Sequence, residues 1–275
     1  MSLLSMNQLT TYRWSLGQDL ENYREAGYGG IGVWRQKLSD ENEDSAIELL
    51  LASGLAVSNV SWAGGFTGSD GRSLAESIDD AASAIRVAGS VNAGCLVIYS
   101  GGRNNHIFRH AGRLLRMALD ELLPLAEMWE VPLAIEPMHP ACALDWTFLT
   151  SLESAIELVE QVNNPFLKIA YDTYHFSLAM QRRQSLQTLA KHLGIVFLSD
   201  RHEAADAEQE RCPLGRGRLP LTEIVAELQD AGYTGAYDVR LMGPDIEGCD
   251  YWTLLEQSQA AFGELAPVAI QRSLA

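Results

Sequence analysis

The chain has 275 residues, 47% hydrophobic and 20% charged, a balance that buries a sizeable core and excludes a disordered or disulfide-stapled chain. Its 36 acidic and 20 basic side chains give a formal net charge of −16, which repels phosphate backbones and argues against nucleic acid as a partner. No apolar run approaches the ~20 residues of a membrane span, so no membrane association is expected. The first fifteen residues show no signal-peptide pattern, and Cys95, Cys142, Cys212 and Cys249 form no C-x-x-C pair. Free thiols and a cytoplasmic location are the expectation.

In chain order, short apolar runs alternate with longer amphipathic segments eight times. The predicted strands are 8–14, 29–34, 55–60, 95–99, 132–136, 167–172, 195–199 and 236–241. Runs such as Cys95-Leu-Val-Ile-Tyr99 are apolar throughout, as parallel strands covered on both faces require. Ser73-Leu-Ala-Glu76 has the form of a capping box and opens a helix with Leu74, Ile78, Ala81, Ala82 and Ile85 on one stripe. The longest predicted helix covers 109–129, where Pro124 predicts a kink or break. Thr150-Ser-Leu-Glu153 repeats the capping form, Pro220 suits a first helical residue, and Asp250 suits a cap. Eight strand–helix units over 275 residues predict one (β/α)₈ TIM barrel as a single domain over residues 1–275. The alternative, a doubly wound sheet, lacks its glycine-rich turn, since Trp14-Ser-Leu-Gly17 follows the first strand.

Barrel chemistry gathers at the carboxyl ends of the strands. Glu136 and Asp172 each follow an apolar strand directly, so two carboxylates are expected at the mouth. They would repel unless they share a proton or a cation, and hard oxygen ligands suit a divalent metal. Capping a helix or pairing with arginine is the structural alternative. His175, three residues after Asp172, is a candidate to carry a proton or hold a substrate hydroxyl, and His139 is a weaker one. Trp34, Trp62 and Trp146 are placed to stack on a sugar ring, or simply to pack. In Glu210-Arg-Cys-Pro-Leu-Gly-Arg-Gly-Arg-Leu-Pro220, glycines allow a tight turn, and Arg211, Arg216 and Arg218 concentrate positive charge against an acidic background. That loop is a candidate clasp for a substrate.

The combination Ala-Ile-Glu136-Pro, Tyr-Asp172-Thr-Tyr-His175, Ser-Asp200-Arg, Pro-Leu-Gly-Arg-Gly and Gly-Tyr-Thr-Gly-Ala-Tyr-Asp-Val resembles the xylose isomerase-like barrel superfamily, within it the sugar phosphate isomerase/epimerase group. The resemblance runs from the fourth strand to the last helix. It implies an isomerase or epimerase of carbohydrate metabolism with a small-molecule carbohydrate substrate, the habit of forming homo-oligomers, and one divalent ion (Mn, Mg or Zn) on four ligands. Glu136 and Asp172 match the first two metal ligands. The other two expected ligands fall at Phe197 and Arg240, which offer no lone pair and a positive charge. The metal site is therefore expected to be weak or absent, with Arg240 forking onto Glu136 or Asp172 and Phe197 filling the space of an imidazole. On this reading Glu136, His175 and Arg240 are the catalytic candidates, and Trp34, Trp62, His139 and Arg211 the substrate-binding ones. The competing expectations are a non-catalytic carbohydrate-binding relative that lost the metal and, last, an endonuclease IV-like DNA repair enzyme, disfavoured by the acidic charge.

Overall fold

The computed structural model describes residues 3–39, 42–176 and 183–266. Eight parallel strands close into a barrel: β1 (Leu4–Asn7), β2 (Gly30–Trp34), β3 (Ala56–Gly64), β4 (Leu96–Tyr99), β5 (Leu133–Ile135), β6 (Leu167–Asp172), β7 (Leu193–Leu198) and β8 (Tyr237–Val239). Closure comes from β1, which pairs with β2 through Ser5 and Gly30 and with β8 through Ser5 and Asp238. Around it run α1 (Leu16–Glu25), α2 (Arg35–Ser39), α3 (Glu43–Ala52), α4 (Leu74–Ser90), α5 (Phe108–Met128), α6 (Pro140–Ala143), α7 (Leu152–Val162), α8 (Thr173–Phe176), α9 (Arg183–Ala190), α10 (Leu221–Asp230), α11 (Pro244–Glu247) and α12 (Tyr251–Leu265). The (β/α)₈ expectation is met.

Helix starts and stripes follow the sequence. Ser73 and Glu76 form the capping box of α4, whose Ile78, Ala81, Ile85 and Ala88 are buried at helical spacing. Asp250 caps α12 by accepting from the Thr253 N–H, and Pro220 sits one position earlier than expected, at the N-cap of α10. The cap of α7 is Ser151, bonded to the Ser154 N–H, not Thr150. α5 runs on through Pro124 without a break, with the proline on its exposed side.

The first strand departs from expectation. β1 lies at 4–7, and most of the predicted strand 8–14 is a turn. Threonine and aromatic residues there read as β-formers, but Gln8 and Thr11 hydrogen-bond to the buried Asp19, and the Thr10 hydroxyl donates to the Val239 carbonyl.

Most of the core lies between barrel and helices. Inside the barrel sits a small apolar plug of Cys95, Val97, Ala134, Ala170, Ile195 and Phe197. Opposite it is a polar sector, where the buried Asp238 accepts from Asn7 Nδ2 (3.1 Å) and from Asn59. A Cβ at position 32 would collide with the Asp238 carboxylate, so Gly32 is needed for this sector to fit.

Candidate functional site

Side chains alternate along a strand, so the residue two beyond an inward one also points inward, one layer nearer the mouth. Ala134 and Ala170 belong to the plug, and Glu136 and Asp172 follow at that spacing. On β8 the same step leads from Asp238 to Arg240, while Phe197 of β7 is level with Asp172 in the β6–β7 register. Period two thus brings an acid, an acid, a phenyl ring and a guanidinium to one end of the barrel.

They meet there. Arg240 donates from Nη1 to Glu136 Oε2 (3.2 Å) and from Nη2 to both Glu136 Oε1 and Asp172 Oδ2. Its guanidinium carbon lies 3.7 Å from the centroid of the Phe197 ring, so the phenyl face forms its floor. Arg211 donates from Nη1 to Asp172 Oδ2 (2.7 Å) and to Ser199 Oγ (3.2 Å), and stacks 4.7 Å over Tyr174. Glu136 and Asp172 have no exposed surface, and Arg211 and Arg240 almost none. Two carboxylates therefore face two guanidiniums in a buried, charge-balanced group.

The environment fixes most protonation states. Burial would raise the Asp172 carboxyl, but Arg211 and Arg240 outweigh it and hold it well below the usual carboxylate range. Burial would likewise weaken the charge on Arg240, and Glu136 and Asp172 reverse this, so the guanidinium stays protonated. For His175, burial lowers the pKa to about 3, opposed by Asp172 and reinforced by both arginines. The ring is neutral, its Nε2 stands 4.0 Å from Asp172 Oδ2, and among the described residues neither ring nitrogen has a hydrogen-bond partner.

One group among the described residues brings potential metal-ligand atoms together, Glu136, Asp172 and His175, within 4.8 Å of one another. The group nevertheless does not fit a divalent ion. The carboxylate oxygens that would face it accept from Arg240 and Arg211, the Phe197 face offers carbon only, and two guanidiniums repel added positive charge.

The other candidates lie around this group. Arg211 turns inward onto Asp172 instead of outward from its loop. Asp200 accepts from the N–H groups of Gly217 and Leu219, at 2.9 and 3.0 Å, and so folds that loop back. A Cβ at Gly217 would collide with Asp200, which explains the second glycine. Arg216 and Arg218 remain exposed. Trp62 packs against Tyr99 (5.7 Å) and Trp146 (5.5 Å). Trp34 lines a separate groove of about 450 Å³ with Arg35 and Trp62. His139 caps α6 by accepting from the Ala141 N–H. With His175, Phe176, Arg201, His202 and Arg218 it also lines a cavity of about 490 Å³. Sequence reasoning missed an apolar cluster of Tyr99, Met138, Cys142, Ala143, Tyr174 and Ala205, with Trp62 against it. Its members come from a strand end, short helices and a loop, which share no periodic pattern.

Residues 20–253 match the family model described as xylose isomerase-like TIM barrel. The chain belongs to this family. Over 119 residues it is 29% identical to D-psicose 3-epimerase of Enterocloster bolteae, a match covering 43% of this chain and 36% of that protein. Over 132 residues it is 26% identical to inosose isomerase of Bacillus subtilis, covering 46% of each. The chain thus matches between a third and a half of the length of these curated relatives. Among solved structures, the IOLI protein with a bound zinc atom superposes with a TM-score of 0.82 at 20% identity, over 96% of this chain and 97% of that one, and shares the fold. Among the described residues no helix is long and apolar enough to cross a membrane.

Proposed function

We propose that this protein is a sugar or cyclitol isomerase or epimerase that moves a proton beside a carbonyl and uses Arg240 where its relatives would place a metal ion. The observation that carries the reading is the Arg240 guanidinium, set between Glu136 and Asp172 on the face of Phe197. The family membership and the names of the two curated relatives support the substrate class.

Proton abstraction next to a carbonyl needs a base and a donor for the oxygen that gains charge. Glu136 is the base and Arg240 the donor. A substrate carbonyl that takes an N–H of Arg240 releases one Glu136 oxygen, which removes the proton from the adjacent carbon. The C–H electrons form the new C=C bond and the carbonyl π electrons move to its oxygen, giving an enediolate held by the guanidinium. The proton of the adjacent hydroxyl then passes to that oxygen, and return of the Glu136 proton to the former carbonyl carbon completes an aldose–ketose shift with one base. A two-face epimerisation would need His175 as second proton carrier, and the one-base shift is the simpler fit. His175, neutral and unpartnered, is available to a substrate hydroxyl. The cavity of about 490 Å³ reaches it from the loop side and is of a size that encloses small ligands.

The test is turnover of a panel of aldoses, ketoses and inososes, with and without EDTA, alongside elemental analysis of the purified protein. Turnover that persists in EDTA without a stoichiometric metal is expected, and Arg240→Met should lower kcat by ~100-fold or more. A tightly bound stoichiometric ion on Glu136 and Asp172 would sink the metal-free reading. The complete burial of Glu136 and Asp172 favours a second reading, a carbohydrate-binding relative without catalysis. Ligand-induced thermal stabilisation with no turnover would select it.

A further inference from the structure

α5 carries its charge in an unusual order. With 100° between successive residues, Arg109, Arg113, Arg116, Asp120 and Glu127 fall within about 60° of one another, Glu121 lies about 110° to one side, and all six are exposed. The first half of this face is wholly basic and the second half wholly acidic. An isolated helix favours the reverse, because its N-terminus carries partial positive charge and its C-terminus partial negative charge. The first turn of α5 has no acid, the last turn no base, and the N-cap Ile107 makes no side-chain cap bond. Arginines spaced three and four apart also repel one another. Among the described residues none of the six forms an ion pair; Arg113 bonds His110 and Arg116 bonds Gln161. Unfavourable order within a helix is relieved by an antiparallel helix of the same sequence.

We propose that the exposed face of α5 is a homodimer interface in which two copies pair antiparallel about a twofold axis near Met117. Such an interface must be complementary to itself, and the polarity of α5 meets that condition. Residues equidistant from Ala118 pair across the axis, so Arg109 faces the partner's Glu127 and Arg116 the partner's Asp120. Arg109 and Glu127 lie eighteen residues, or ~27 Å, apart along the helix, so the pairing spans most of its length. Met117, 45% exposed, sits beside this face near the axis. A groove of about 680 Å³ along Ile107, Phe108, Arg109, Gly112, Arg113 and Arg116 is open to receive the partner's acidic half. A second copy supplies the acidic and apolar counterpart in one element, which the general acidity of the rest of the surface does not.

Sedimentation velocity on the intact protein tests this. The wild type should sediment as a dimer in about 50 mM salt and shift toward monomer in about 500 mM. R109E/R116E and D120R/E127R should each raise the dimer dissociation constant by roughly tenfold or more. Mixed one to one, the two variants should form a heterodimer, since one then presents an acidic α5 and the other a basic one. Circular dichroism melts separate monomerisation from unfolding, and R109E/R116E should keep its helix content because its charges suit the helix ends better. A monomeric wild type at low salt, variants that dimerise like the wild type, or a mixture that stays monomeric would each overturn the proposal. So would a monomer retained on heparin, which would point to a polyanion instead.

Discussion

At residue scale, the interior of the barrel is divided by charge. Asp238 lies one layer beneath Arg240 and, unlike Glu136, has no guanidinium against it; it is held by amides and hydroxyls. Burial, partly offset by Asn7 and Asn59, raises its pKa from 3.8 to about 6. The sign of the consequence follows. Below about pH 4 the carboxyl is protonated folded and unfolded, and nothing is lost. Between about pH 4 and about pH 6 the unfolded chain releases its proton first, so stability falls as pH rises, by about 1.4 kcal/mol per unit. Above about pH 6 the loss is complete. In urea unfolding across this window the buried Asp19, also raised to about 6, and His175, lowered to about 3, titrate in both proteins, so the expected signature of Asp238 is the difference: Asp238→Asn should show a slope more positive than the wild type's by about 1.4 kcal/mol per unit. An unchanged slope in the variant would show that Asp238 is not the titrating group.

The same residues show what sequence can reveal. Glu136, Asp172, Phe197 and Arg240 were legible because strand periodicity fixes which way each points, and the Arg240 fork onto the two acids follows from their common layer. Arg211 was legible only as a loop cation and substrate-binding candidate. It lies within a loop whose path depends on Asp200, and no periodic pattern reports that a loop arginine turns inward. Its pairing with Asp172 emerged only from the folded chain.

At element scale, local and tertiary signals agree in most helices and part in the first strand. α4 joins a capping box to a buried stripe, and both are read from spacing. Ser73→Ala removes the hydroxyl that accepts from the Glu76 N–H and donates to the Glu76 carboxylate, leaves that carboxylate its bond from the backbone N–H of residue 73, and touches no core residue. It should cost about 1 kcal/mol in chemical denaturation. A cost near zero would show that water replaces the cap fully. β1 was hidden because Ser5 and Asn7 interrupt any apolar run. Both are buried: Ser5 Oγ bonds the Tyr237 carbonyl, and Asn7 reaches Asp238. A strand whose inward face meets a polar layer does not look hydrophobic. The helix that runs on through Pro124 makes a related point. A proline on the exposed side removes one hydrogen bond, and the buried stripe of Leu115, Ala118, Leu122 and Ala126 holds the turn regardless.

At the scale of the whole molecule, closure depends on the short strand that was hardest to see. β1 supplies ladder partners to both β2 and β8, and without it each would present an unpaired edge. A chain lacking residues 1–7 should lose its cooperative thermal transition and scatter light on mild heating, while the full chain stays clear. A truncated chain that melts cooperatively and stays soluble would mean that β2 and β8 meet directly. Eight alternating units made the barrel class readable from order alone, whereas the apolar cluster of Tyr99, Met138, Cys142, Ala143, Tyr174 and Ala205 joins residues from four different strand ends and the segments beyond them.

The floor of Phe197 beneath Arg240 has a consequence for occupancy. A site that borrows an ion is filled according to supply, and falls empty when a chelator or a competing protein takes the ion away. Here the positive charge is tethered to the backbone by its own covalent bonds, one per chain, from the moment the polypeptide is made. If Arg240 serves in place of a metal ion as proposed, scarcity cannot vacate it, the wrong ion cannot displace it, and no loading step need follow folding. What is surrendered is exchange: the charge cannot be swapped for a harder or softer one, so the chemistry of the site can be retuned only by mutation.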